Sequence, residues 1–351
     1  MILDPLVLEK QYDSIEGVLL PEENLKLFGH KKNKAFFEEL LKSKNLPHAF
    51  LFQGEKGIGK ATFSFHFIWN LLSGKDSFSI PKEEDVVWRQ MAQKVHPSFL
   101  HVKRSLDRKT KNFRSAITVE NIEDIHNFLG KTVQRGSWRV VLIDDANDMN
   151  RNAANALLKI LENPPQRTLF ILLSLAPNKL LPTIRSRCQY VHFSPLTTEE
   201  VFLALNHCCP AMDMDKDFIE KKVLLDHAGG SVRDAALLLL SDFLENWAVL
   251  ENILKHEVLN YSLLYPLAAD LAKKENLSKY IIFKKEILNY IACQSKAEAD
   301  QLNMERAMFW QKYWFALQKE FFELETYNLD KKNFIGLLIE RIHKFIYKTN
   351  R

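Results

Sequence analysis

The sequence predicts an α/β protein whose parallel sheet is followed by helices. Three observations lead there. A strand, a glycine-rich loop and a helix succeed one another between residues 49 and 72. Apolar runs then alternate with helical periodicities as far as residue 193, as a largely parallel sheet requires. After Pro195 the strand signals stop. At 351 residues the chain exceeds one ordinary core. The pattern divides it into 1–195, with a strap over 1–28, then two helical parts, 196–245 and 246–351.

The elements follow in order. The first two dozen residues mix acidic and apolar side chains without a period, as a strap ahead of the core would. Phe36, Phe37, Leu40 and Leu41 recur at helical spacing within 33–43. Pro47 breaks that helix before a strand over 49–53. The loop from Gly54 to Lys60 leads into a helix over 60–72, with Phe63, Phe67, Ile68, Leu71 and Leu72 on one side. The pattern weakens from 73 to 95. A strand near 98–103 precedes a charged loop over 103–114. Thr118 then caps a helix with Ile122, Ile125, Phe128 and Leu129 inward. Val140 to Ile143 is a continuous apolar run, expected of a parallel strand buried on both faces. A helix from about Asn150 to Glu162 stops at Pro164-Pro165, and strands follow at 169–174 and 190–193.

Hydrophobic residues make up 46% of the chain and charged residues 26%, which suits a soluble globular protein. A net charge of +4 is too slight to indicate nucleic acid by itself. There is no signal-peptide pattern and no apolar run long enough to span a bilayer, so a cytoplasmic location and no membrane partner are expected. The four cysteines, Cys188, Cys208, Cys209 and Cys293, form no C-x-x-C pair. No metal site is expected from them, and Cys208 and Cys209 read as reduced thiols.

Gly54, Glu55, Lys56, Gly57, Ile58, Gly59 and Lys60 satisfy a phosphate-loop pattern up to its last position, where Ala61 replaces serine or threonine. Glycines let backbone N–H groups close around phosphate oxygens, and the lysine adds a charge at a helix N-terminus. The absent hydroxyl would hold Mg²⁺, so ATP or ADP is compatible with this loop and Mg²⁺ is doubtful. Asp144 and Asp145 follow a buried strand, where carboxylates reach the ligand crevice of such sheets. Asp144 is placed to reach a metal. Asp145 is one methylene shorter than the glutamate usual there, and could equally cap the turn.

Four further features have two readings each. Ser174 could bond a phosphate or be an ordinary strand-end hydroxyl. Arg185 and Arg187 could form salt bridges within the domain, or one could be presented to a phosphate in a neighbouring subunit. Arg233 lies in the first turn of a helix capped by Ser231, a poor place for a cation. It meets either an outside anion or Asp234. The loop 103–114 holds Lys103, Arg104, Arg108, Lys109, Lys111 and Arg114 against Asp107. It reads as a solvated loop, or as a contact to DNA phosphates. Further on, Met304, Met308, Trp310, Trp314, Leu317, Phe321 and Phe322 lie at helical spacing, as core with an excess that would suit a subunit interface.

Together these residues resemble the delta-prime family of clamp-loader subunits of bacterial DNA polymerase III, in the AAA+ superfamily. The likeness runs from Gly29 to about Arg233. It rests on His48 to Phe52 before the loop, Trp138 to Asp148, Asn152 to Pro165, and Ser186-Arg187-Cys188. It implies a RecA-like AAA+ domain, a small helical lid over 196–245, and a helical collar over 246–351 that holds five subunits in an open ring. Arg187 would be an arginine finger acting in the ATP site of an adjacent subunit, Ser174 would be at sensor 1, and Arg233 at sensor 2. Partners would be gamma/tau-type and delta-type subunits in a hetero-pentamer, the sliding clamp, and primed DNA. Many relatives carry a four-cysteine zinc module before His96-Pro97, but residues 73–95 contain no cysteine, so zinc is not expected. The alternative readings are an ATP-hydrolysing motor subunit, with Thr62 replacing the missing hydroxyl, and a stand-alone DNA-binding protein.

Overall fold

The computed structural model describes residues 13–43, 45–106, 113–131, 137–210, 225, 227–240 and 243–348. They form two compact units, Met1–Arg233 and Asp234–Arg351. In the first, β1 (Ala49–Gln53), β2 (Phe99–Val102), β3 (Arg139–Ile143), β4 (Thr168–Ser174) and β5 (Gln189–His192) make one five-stranded sheet. The order is β2-β3-β4-β1-β5 and every pairing is parallel. The first strand thus lies between β4 and β5, and the loop leaving its C-terminal end opens beside both.

Alternation along each strand sorts side chains onto two faces. Phe50 and Phe52 of β1, Val140 and Leu142 of β3, and Leu169 and Ile171 of β4 face one core cluster. α1 (Lys31–Ser43), α2 (Lys60–Leu72) and α3 (Val86–Ala92) cover it with Phe37, Phe63, Phe67, Trp88 and Met91. The Phe37 ring centroid lies 4.4–5.5 Å from those of Phe50, Phe52, Phe63 and Phe67. Such contacts add about 0.5–1.5 kcal/mol per aromatic pair to the gain from burial. Ala49, Leu51, Val141, Ile143, Phe170 and Leu172 point the other way. There they meet Ile122, Ile125 and Phe128 of α4 (Val119–Gly130), and Ala153, Leu157 and Leu161 of α5 (Arg151–Glu162). Both faces being covered explains the unbroken apolar runs. This is the RecA-like AAA+ arrangement expected of the first part.

α3 answers to no periodicity noted in the sequence. It forms because Asp85 caps it, accepting from Trp88 N at 2.9 Å, and because Trp88 and Met91 are buried. After β4 come the short α6 (Pro182–Arg185), then β5 and α7 (Thr198–Cys208), whose capping box joins Thr197 to Glu200. Cys208 and Cys209 are free, buried thiols. α8 (Val232–Leu240) crosses the boundary between the units, which falls inside the 196–245 segment expected as a lid.

The second unit is helical throughout its described residues. α9 (Phe243–Lys255), α10 (Tyr261–Leu271), α11 (Leu277–Asp300), α12 (Met304–Thr326) and α13 (Lys331–Lys348) enclose a core containing Trp310, Leu317, Phe321 and Ile339. The aromatic stripe on α12 divides: Trp310, Leu317 and Phe321 are buried, while Met304, Met308 and Phe322 are exposed. No helix among the described residues is long and apolar enough to cross a membrane.

Candidate nucleotide site

The phosphate loop follows β1 directly. Gly57 and Gly59 adopt φ of +78° and +98°, conformations open to glycine and strained for other residues. Gly59 ends the loop in a left-handed conformation and its carbonyl accepts from Phe63 N, which starts α2. The Lys60 ammonium donates to Gly54 O at 2.8 Å and to Glu55 O, curling the loop around its own lysine. The loop is also braced from outside. His30 Nε2 donates to Ile58 O at 2.7 Å, Ser231 Oγ donates to Lys56 O at 2.9 Å, and Val232 N donates to Gly57 O at 3.0 Å.

A cavity of about 410 Å³ opens over this loop, within the first unit. Lys56, Gly57, Ile58, Gly59, Lys60 and Ala61 line it from below, Asp144 and Asp145 from the end of β3, and Arg233 from the first turn of α8. Its size is within the range of small-ligand sites, and its cations suit a phosphate-bearing ligand. Lys60 is 7% exposed, and burial lowers its pKa to about 8 against the opposing pull of Asp145 and then Asp144. Ala61 packs its methyl against the aromatic core cluster and offers no oxygen.

The acidic wall is weakened electrostatically. Burial, then the neighbouring charges of Asp13 and Asp145, push the Asp144 carboxyl up to about 7. Its side chain keeps 35% of its surface open, and it is one of the residues that line the cavity. His101 Nε2 lies 3.9 Å away, but full burial, reinforced by Lys103 and Lys94, holds that ring neutral, so it is no counter-charge. Burial also raises Asp145, and its carboxylate accepts from Asn147 N at 2.9 Å. The turn-capping reading of Asp145 is therefore realised in the structure.

Some expected residues stand away from the cavity wall. Gly54 and Glu55 turn their carbonyls to Lys60. Ser174 is buried and donates to Asn147 Oδ1 at 2.7 Å, an oxygen that also accepts from Leu175 N and Ala176 N. Ser174 is thus engaged with the turn after β3. Arg187 lies outside the cavity, where its guanidinium donates to Glu162 Oε1 at 2.9 Å and Thr183 O at 2.8 Å. The neighbouring Arg185 donates to Asn178 Oδ1. Arg233 meets Asp13, while Asp234 pairs with Lys285.

The contribution of the strap had no signal in the sequence pattern. Asp13 and the strap residues Val18, Leu19, Leu20 and Pro21 line the cavity. Lys103 and Arg104 also line it, which corrects the solvated-loop reading for both. Arg104 makes a two-pronged pair with Asp148, and Lys103 sits 4.0 Å from Glu22, itself 1% exposed. Arg114 does remain at the surface near Glu120. Arg108, Lys109 and Lys111 lie outside the described residues.

A phosphate loop on an internal parallel strand, two acids after β3 of the same sheet, and an arginine from a following helix define a P-loop domain of the AAA+ class. Residues 29–197 match the family profile described as DNA polymerase III, delta subunit. Over 141 residues the chain is 37% identical to the delta-prime subunit of DNA polymerase III from Pseudomonas aeruginosa, covering 40% of this chain and 41% of that one. It is 30% identical to the delta-prime subunit of Buchnera aphidicola subsp. Baizongia pistaciae over 142 residues, or 40% and 42% of the two chains. It is also 29% identical to the gamma subunit of Buchnera aphidicola subsp. Schizaphis graminum over 219 residues, or 62% and 58%. The chain spans about half the length of the curated relatives it matches. These matches establish a likeness to DNA polymerase III clamp-loader subunits, of delta-prime type over the residues matched.

Proposed function

We propose that this protein is a structural and regulatory subunit of a DNA polymerase III clamp loader in the cytoplasm. It binds a nucleotide in the cavity over Lys60 and hydrolyses it poorly or not at all. Its chemistry is supplied next door: Arg187 acts as an arginine finger in the ATP site of an adjacent motor subunit. The partners are gamma/tau-type and delta-type subunits in a five-membered assembly that loads the sliding clamp onto primed DNA.

One observation carries this reading. The cavity retains the phosphate-binding cations while its metal-binding side is deficient, with Ala61 at the hydroxyl position and Asp144 only partly ionised near pH 7. The residues fit a phosphate-bearing ligand, for which Lys60, Lys56 and Arg233 supply charge and the loop glycines supply N–H groups. They fit a divalent cation less well, since Ala61 supplies no oxygen and the Asp144 carboxyl is only partly ionised near pH 7. Ser174 serves chiefly to join the ends of β3 and β4, in keeping with its bond to Asn147.

A motor subunit is the second reading, and Thr62 favours it by lining the cavity. A helix turns its side chains by about 100° per residue, so Thr62 does not occupy the direction that Ala61 leaves bare. Steady-state ATPase measurement on the isolated chain separates the two. The structural reading expects turnover at background level, unchanged in Lys60→Ala. Substantial turnover that Lys60→Ala abolishes would establish the motor reading. Co-purification with gamma/tau-type and delta-type subunits tests membership of the assembly itself.

A further inference from the structure

Asp13 stands among the cations of the cavity. Its carboxylate is 3.3 Å from the Lys56 ammonium and 3.9 Å from the Arg233 guanidinium, which also donates to the Asp13 backbone carbonyl. Lys56 belongs to the phosphate loop and Arg233 to the first turn of α8, where a cation faces the positive end of the helix dipole. An anion is needed there, and the strap supplies it. Two of the cavity's other acids are otherwise engaged: Asp148 is held by Arg104, and Asp145 accepts from Asn147 N. Burial works against the Asp13 charge, but Lys56 and then Arg233 outweigh it, holding the carboxyl below the usual range.

We propose that Asp13 is an internal stand-in for a phosphate group. It neutralises Lys56 and Arg233 and must leave them before a nucleoside di- or triphosphate can engage both, so the strap gates the cavity. The proposal rests on reading the cavity as a nucleotide site. The contact is built to exchange. Both Asp13 and Lys56 keep 46% of their side-chain surface open, and exposed pairs of this kind are weak. Phosphate oxygens accept stronger, charge-assisted bonds from the same donors. A polyphosphate with several such oxygens can displace one carboxylate; a ligand without charge cannot.

The test is titration of the full-length chain with fluorescently labelled ADP, alongside amide hydrogen exchange over residues 13–20. Asp13→Asn is expected to tighten binding about 3–10-fold, the release of two screened pairs. Asp13→Glu keeps the charge and is expected to stay within about twofold of the parent. Saturating ADP is expected to speed exchange over 13–20 as the strap lets go. Lys60→Ala reports on the site itself and is expected to weaken binding. If Asp13→Asn binds no more tightly while Lys60→Ala binds more weakly, the gate is wrong and the nucleotide site stands. Slower exchange over 13–20 with ADP also overturns the gate. If neither the parent nor Asp13→Asn binds saturably, or if Lys60→Ala binds as the parent does, the nucleotide reading fails and the gate falls with it.

Discussion

Lys60 and Arg187 are two cations of one α/β unit with opposite surroundings. Lys60 is 7% exposed and donates inward to the carbonyls of its own loop. Arg187 follows α6, keeps 34% of its side chain open, and is held from the side by Glu162 and Thr183. On the proposed function, the first serves a ligand of this chain. The second is outside the cavity and oriented by only two acceptors, so it can serve another chain without unpacking a core. On that reading an inward site could lose its catalytic parts while an outward group persists, since Lys60 is held by its own loop and Arg187 by Glu162 and Thr183.

The largest effect should come from the outward side. Arg187→Ala is expected to lower ATP turnover of the reconstituted complex by about 10³-fold or more, the scale of arginine fingers. The isolated chain should lose less than about 1 kcal/mol, because only a partly exposed pair is broken. Arg187→Lys should not restore turnover, since the ammonium lacks the rigid donor fork. Unchanged turnover would remove the contrast altogether.

Gly57→Ala attacks the inward side. A Cβ there would lie 2.4 Å from both Arg233 Cβ and Ser231 Oγ, at a φ of +78°. A loss of about 2–3 kcal/mol is expected in denaturant unfolding of the isolated chain. The variant should also bind ADP more weakly. Stability equal to the parent would mean that the brace from Ser231 and Val232 is dispensable.

Asp144→Asn sharpens the contrast through pH. The folded-state pKa is raised to about 7 from an ordinary 3.8, so the folded chain binds the proton more tightly than the unfolded one. That contribution is complete below about pH 4 and is lost as pH rises towards 7. Asparagine imitates the protonated form. It should therefore match the parent near pH 4 and exceed it at pH 8 by about 1–2 kcal/mol, a figure discounted for the side chain's open surface. Urea unfolding at the two pH values measures this, and a difference independent of pH would rule out a protonated Asp144.

The smallest effect is expected from Ala61→Thr. Restoring the hydroxyl should add a Mg²⁺-dependent gain in ADP affinity of at most about tenfold, or ~1.4 kcal/mol. ATPase of the isolated chain should stay at background, because Asp144 is still a poor metal ligand. Vigorous Mg²⁺-dependent turnover would place the whole inward deficiency in a single methyl group.

Where local chemistry forces a structure, the chain could be read directly. The helix over 60–72 and the strand over 49–53 lie where the glycines and Pro47 punctuate them. The Arg185–Arg187 segment was expected to find a partner, and Arg187 meets Glu162. Contacts that depend on distant segments left no such trace. Asp13 sits in an aperiodic strap, and its value comes from Lys56 and Arg233, which only folding brings near. Lys103 and Arg104 belong to a charge run, and a run has the same composition whether its members are solvated or paired. α3 was hidden because a short helix held by one cap and three buried side chains needs no full period.

The bond from Val232 N to Gly57 O joins two main chains. No side chain takes part in it, so substitutions at either residue leave it available unless they add a proline at 232 or crowd the glycine. A lineage can therefore drift at Ala61, or at the acids after β3, while the loop stays fastened to the helix that begins at Val232. What is inherited at this joint is a conformation and not an identity, and it can outlast the chemistry it first served.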